Sequence, residues 1–122
     1  MPHILIEYSD NLPGFDARGT MRRVNQALSA SGQFEDQDIK TRITEVQDYL
    51  VGTADQAHAF IHVTLRLLSG RDLATRQHLA NAVLDALKDS LEPVGRLQAA
   101  VQLSVDVGDM DRQAYAKRSI ST

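Results

Sequence analysis

A hydrophobic pattern that changes period in the same order twice is what most restricts the fold of this chain. From His3 to Tyr8, large apolar and β-branched residues alternate with Ile4, Ile6 and Tyr8 on one face of an extended strand. Ser9 to Gly14 interrupts the alternation. Ala17, Met21, Val24 and Leu28 then recur at the spacing of one helix face, which stops at Gly32. Arg18, Arg22 and Arg23 lie off that face and read as solvated. A second extended stretch is predicted from Ile39 to about Leu50, with Ile39, Thr41 and Ile43 on one side and Lys40, Arg42 and Thr44 on the other.

After a polar turn at Gly52 to Gln56 the succession returns. His58 to Leu68 reads as a strand whose positions Ile61, Val63, Leu65 and Leu67 form a wholly apolar face. Asp72 suits the N-cap of a second helix, whose buried stripe is expected to be Leu73, Ala80, Val83, Leu84, Leu87 and Leu91, and Pro93 and Gly95 end it. Alternation resumes from Leu97 to Val107, and Gly108 to Thr122 reads as a polar, loosely held tail. Sliding one half over the other by about 60 residues superposes helix stripes and strand faces, the mark of an internal duplication.

Two strands joined by one helix pair in parallel, because a crossover of that length carries the chain back to its starting edge. The predicted fold class is therefore α+β: tandem β-α-β units, residues 1–52 and 57–108 of a single domain spanning 1–122, form a four-stranded mixed sheet with both helices on one face. The other face is expected to be apolar and so to be covered by further copies of the chain.

Composition narrows the function classes. At 122 residues, with 43% hydrophobic and 24% charged, the chain can bury a core without metal or crosslink. Thirteen Lys and Arg against sixteen Asp and Glu give a net charge of -3, which argues against nucleic acid as a partner. The absence of cysteine excludes a disulfide framework, a thiolate metal site and a thiol nucleophile. Arg66 and Arg71 break the Leu-rich stretch around Leu65, so no run approaches the ~20 apolar residues of a spanning helix. Met-Pro-His-Ile-Leu-Ile-Glu lacks the basic leader and longer apolar run of a signal peptide. A cytoplasmic protein with no membrane partner is expected.

No phosphate loop, nucleophile elbow or helical zinc pair occurs. His58 and His62 are four apart, but along a strand that separates them by about 13 Å, too far for one metal ion, and no metal is expected. Pro2 is the most informative residue. A small penultimate residue permits removal of Met1, which leaves a secondary amine at the head of the chain. An α-amino group titrates near ~8 and a prolyl nitrogen somewhat higher, but burial and neighbouring cations depress it toward neutrality. Unprotonated, it can take a proton from carbon or from an enol oxygen. The plainer alternative is that Pro2 simply begins an edge strand.

The segment Pro2-His3-Ile4-Leu5-Ile6-Glu7-Tyr8-Ser9-Asp10-Asn11 resembles the amino terminus of the 5-carboxymethyl-2-hydroxymuconate isomerase family, within the tautomerase superfamily. The likeness extends through the Gly32 region, Phe60-Ile61-His62-Val63-Thr64-Leu65 and Ser69-Gly70-Arg71, and fades after about Val107. Leu68-Ser69-Gly70-Arg71 followed by a helix is also similar to a turn of 4-oxalocrotonate tautomerase, whose chain is shorter.

The resemblance implies a tautomerase-like homotrimer with sites between subunits. It also implies an amino-terminal proline base that moves a proton between a 2-hydroxyl and a diene carbon, with no cofactor. Pro2 matches that base, and Arg71 matches an arginine that holds a substrate carboxylate. Where the family has an arginine on the second strand this chain has Lys40, a point charge instead of a two-pronged fork. Arg42, two residues on and on the same strand face, is the candidate replacement.

The expected activity is ketonisation of a 5-carboxymethyl-2-hydroxymuconate-type dienol in aromatic catabolism, on a small dicarboxylate. Pro2 would be the base and Lys40, Arg42 and Arg71 the carboxylate binders. Two rivals share the scaffold: a non-catalytic oligomeric carboxylate-binding protein, and a tautomerase acting on a monocarboxylate or halogenated acid.

Overall fold

Four strands, two long helices and three short 3-10 turns make up the chain in the computed structural model, which describes residues 1–54 and 56–122. β1 (His3–Ser9), α1 (Ala17–Ala30) and β2 (Lys40–Val46) form the first half. β3 (His58–Leu68), α2 (Leu73–Leu91) and β4 (Ala100–Met110) form the second. The sheet order is β2-β1-β3-β4, with β1 parallel to β2, β3 parallel to β4, and the central β1 and β3 antiparallel. This is the expected four-stranded mixed sheet built from two β-α-β units.

The apolar face of β3 decides where the helices go. Ile61, Val63 and Leu65 are fully buried and Leu67 nearly so, in one cluster with Ile4 and Ile6 of β1, Val24 and Leu28 of α1, and Leu79, Val83 and Leu87 of α2. Complete burial of side chains this size contributes about 1.5–3 kcal/mol each, so this face is the main store of folding energy. Both helices pack on it and on one another.

Each helix starts on an aspartate: Asp16 accepts from the Gly19 amide and Asp72 from the Thr75 amide, both at 2.9 Å. These caps satisfy amides that the first turn leaves without partners.

Several expectations need correction. β2 ends at Val46, not Leu50, because it is an edge strand and β1, its partner, ends with Ser9 paired to Val46. Leu50, beyond it, is 83% exposed. β4 runs from Ala100 to Met110 and not from Leu97 to Val107, for the same reason: its bounds are set by His58 and Leu68 at the two ends of β3. The α2 stripe is rotated, with Leu79, Val83, Ala86, Leu87 and Ser90 buried. Leu73 is exposed, and Ala80, Leu84 and Leu91 are only partly covered. The turn expected over Gly52 to Gln56 contains Asp55, which lies outside the described residues.

Two further corrections bear on function. The face of the sheet away from the helices is not apolar: it presents His3, Leu5, Glu7, Lys40, Arg42, Thr44, His62, Thr64 and Arg66. Most apolar strand residues lie on the helix side, with Leu5 and Phe60 among the exceptions, so the argument for association from a bare apolar face falls away. The carboxy-terminal segment is also not loose throughout. Gly108 to Met110 belong to β4, Arg112–Ala114 form a 3-10 turn, and Tyr115 and Lys117 are bonded to residues near the start of the chain.

Candidate active site

The head of the chain is built into the sheet. Pro2 is buried, and its carbonyl accepts the Lys40 amide at 3.2 Å, extending the β1–β2 ladder by one rung. That contact fixes the amino-terminal nitrogen beside the 3-10 turn Asp36–Asp38 and the first residue of β2.

The charges acting on the terminal amine of Met1 come from distant parts of the sequence. Burial lowers its pKa below the ordinary value; Asp38 opposes that, and Arg71, Lys40 and Lys117 reinforce it. Three cations and one carboxylate therefore act on one amine. Loss of solvent and nearby positive charge both favour its neutral, basic form.

Arg71 follows Ser69 and Gly70 in the turn between β3 and α2. Gly70 has φ +126°, a backbone angle that side-chain-bearing residues rarely adopt, and the turn depends on it. From there the guanidinium reaches the loop after α1. Its Nε donates to Gln33 Oε1 at 3.1 Å, Nη2 to the Gln33 carbonyl at 3.2 Å and Nη1 to the Leu68 carbonyl at 3.3 Å. It also lies 4.7 Å above the Phe34 ring. A guanidinium held by three bonds and a ring face keeps its direction, which suits a carboxylate fork.

Lys40 also acts on the terminal amine, its ammonium donating to the Asp38 carbonyl at 3.1 Å. Arg42, on the same strand face, is placed differently. Its Nη1 lies 3.2 Å from His3 Nδ1, and the second ring nitrogen of His3 lies 2.9 Å from the Tyr115 hydroxyl. A guanidinium only donates, so Nδ1 accepts, and the His3 proton sits on Nε2 and is donated to Tyr115. Burial first, then Arg42, Lys40 and the amino terminus, lower the His3 pKa and hold it neutral.

Of the four residues singled out from the sequence, the structure thus gathers Pro2, Lys40 and Arg71 around the amino terminus and places Arg42 one step away, on His3. Sequence reasoning missed Asp38, Lys117, Tyr115, Gln33 and Phe34. Lys117 Nζ meets Asp38 Oδ1 at 2.8 Å, and this bond, more than the other charges, lowers the Asp38 pKa. Tyr115 is the single aromatic residue after Phe60, the one local signal that the tail had something to pack on. Among the described residues no group of three or more His, Asp or Glu is arranged to hold a metal ion, and no helix is long and apolar enough to cross a membrane.

The model of one protein family, 5-carboxymethyl-2-hydroxymuconate isomerase, matches residues 2–121. The chain belongs to the 5-carboxymethyl-2-hydroxymuconate isomerase family. The match continues well past Val107, where the resemblance in the sequence fades, and takes in the tail that carries Tyr115 and Lys117. The chain is 32% identical over 89 residues to the 5-carboxymethyl-2-hydroxymuconate Delta-isomerase of Escherichia coli, across 72% of this chain and 71% of that protein. Family membership makes it an enzyme of the isomerase class.

Solved structures agree on the fold. A 5-carboxymethyl-2-hydroxymuconate isomerase from Deinococcus radiodurans R1 superposes with a TM-score of 0.87 at 23% identity, covering 98% of this chain and 90% of that one. A native fused 4-OT superposes at 0.69 with 17% identity, over 94% and 91% of the two chains. A wild-type fused 4-OT described as a symmetric trimer gives 0.65 at 16% identity, over 91% and 87%.

Proposed function

We propose that this isomerase ketonises 5-carboxymethyl-2-hydroxymuconate or a close analogue, with Pro2, freed by removal of Met1, as the general base. The observation that carries the reading is the setting of the amino terminus, where burial, Arg71 and Lys40 favour the neutral form of the Met1 amine, one residue from the Pro2 nitrogen that removal of Met1 would free.

The step balances within the substrate. The Pro2 nitrogen takes the proton of the 2-hydroxyl, the oxygen lone pair becomes a C=O bond, and the diene shifts by one position. The same nitrogen returns the proton to the far end of the conjugated system, where a C–H bond forms. Nothing is oxidised or reduced overall, and no cofactor is called for. Negative charge spreads from the oxygen toward the far carboxylate during the transfer, so cations placed before the reaction lower the barrier. Arg71 and Lys40 have that role, and the same cations, with burial, favour the neutral form of the amine. Arg42 has one of its five N–H donors on His3, so the rest of its fork is available to a carboxylate at the rim of the site.

The substrate named for the family carries three carboxylates, two from muconate and one from the carboxymethyl arm, one more than the dicarboxylate expected from sequence. A homotrimer acting in the cytoplasm is part of the proposal, supported by the symmetric trimer of a structural neighbour.

The test is the change in ultraviolet absorbance of 5-carboxymethyl-2-hydroxymuconate on protein whose intact mass shows Met1 removed. Pro2→Ala is expected to lose at least about 100-fold in kcat while remaining folded, the usual weight of a positioned base. Undiminished turnover in that variant contradicts the mechanism, and substrate binding without turnover in the processed wild type contradicts the isomerase reading.

A further inference from the structure

The carboxy-terminal segment is strapped back across the molecule, and it ends its bonded course beside the amino terminus. Arg112 fastens to Ser69 twice, through its amide to Oγ at 3.1 Å and through Nε to the carbonyl at 2.9 Å. The Tyr115 hydroxyl then accepts from His3 Nε2 and Lys117 reaches Asp38. Asp38 thereby anchors two ammonium groups, Lys117 on its carboxylate at 2.8 Å and Lys40 on its carbonyl at 3.1 Å. Each ammonium carries three N–H donors, of which the anchor takes one, so both can present donors to an anion beside the amine.

Stability alone is a poor reason for this arrangement. The Lys117 side chain is 34% exposed and that of Asp38 23%, and pairs this open to water contribute little after the entropy of ordering a lysine is counted. The placement of the charges points elsewhere. Lys117 joins Arg71 and Lys40 as one of three cations acting on the terminal amine, while Arg42 is held a step away on His3, and the compound named for the family has three carboxylates.

We propose that Lys117 is a further carboxylate-binding residue of the site, delivered by the carboxy-terminal strap and positioned by Asp38 and Tyr115, and that it makes the site selective for a tricarboxylate over a dicarboxylate. The proposal rests on the reading of this site as one that binds a muconate-type polyanion. The strap is then a specificity device, with the tail carrying the part of recognition that distinguishes the carboxymethyl arm. Asp38 keeps Lys117 from wandering when the site is empty and yields one face of the ammonium when substrate arrives.

The experiment uses two unreactive saturated ligands, pentane-1,2,5-tricarboxylate and hexanedioate, titrated by NMR against processed wild type, Lys117→Met and Tyr115→Phe. Wild type is expected to bind the tricarboxylate more tightly. Lys117→Met is expected to weaken the tricarboxylate roughly tenfold, the effect of losing one hydrogen bond to a charged group, and to change hexanedioate less than about twofold. Tyr115→Phe, which frees the strap from His3 and keeps the ammonium, should shift selectivity in the same direction by a smaller factor. A wild type without preference, or a Lys117→Met variant that loses both ligands equally or neither, overturns the proposal. Because neither ligand reacts, a protein that shows this selectivity but fails to ketonise rejects the isomerase reading and leaves the role of Lys117 standing.

Discussion

His3 is the residue on which the local chemistry turns most sharply. Its neutral ring accepts from Arg42 and donates to Tyr115, and protonation of Nδ1 would set two cations against each other at 3.2 Å. Its folded pKa lies below the ordinary 6.5, so the unfolded chain binds the proton more readily. The linked stability is fully present above pH 6.5 and is lost as pH falls through the lower folded value. Melting temperature should therefore drop between pH 7.5 and pH 5, and His3→Gln, which keeps polar atoms without titrating, should flatten that drop. An unchanged slope in the variant would place the titration elsewhere. Asp38, lowered from 3.8 chiefly by Lys117, weakens the fold only in more acidic solution, so the two windows are separable.

Among the elements, α2 couples stability to the site most directly, because its N-cap Asp72 immediately follows Arg71. Asp72→Ala removes the bond to the Thr75 amide and should cost about 1 kcal/mol in chemical denaturation, a typical value for an aspartate cap. It should also raise KM, by loosening the turn that aims the guanidinium; an unaltered KM with the stability loss would show that Gln33 and Phe34 suffice to hold it. The element order was legible in the sequence because each helix carries an apolar stripe, the second opening on Asp72, and each inner strand has a two-residue period. The strand ends were not. β2 and β4 are edge strands whose lengths are set by the single neighbour each has, and Leu50 and Leu97 carry no mark that this neighbour is missing. The rotation of the α2 stripe has a similar cause: Leu73 and Leu79 look alike in sequence, and only packing against α1 and β4 puts one in water and the other in the core.

Across the whole molecule, the candidate site joins segments that composition ranks very differently. Pro2 and Arg71 are found by resemblance and Lys40 by its departure from it. Lys117 and Tyr115 lie in a stretch that reads as a polar tail, and nothing local reports a bond to a residue 112 positions away. The family match through residue 121 fits a tail that belongs to the fold. The central claim is that this assembled field makes the amino terminus a base near neutral pH. The direct measurement is the titration of the Pro2 nitrogen by nitrogen-15 NMR in processed protein, compared with Lys40→Met and Lys117→Met. The account predicts a midpoint below the ordinary amino-terminal value of about 8, moving upward when either cation is removed. A Pro2 amine that titrates at or above that value, indifferent to both substitutions, would contradict it.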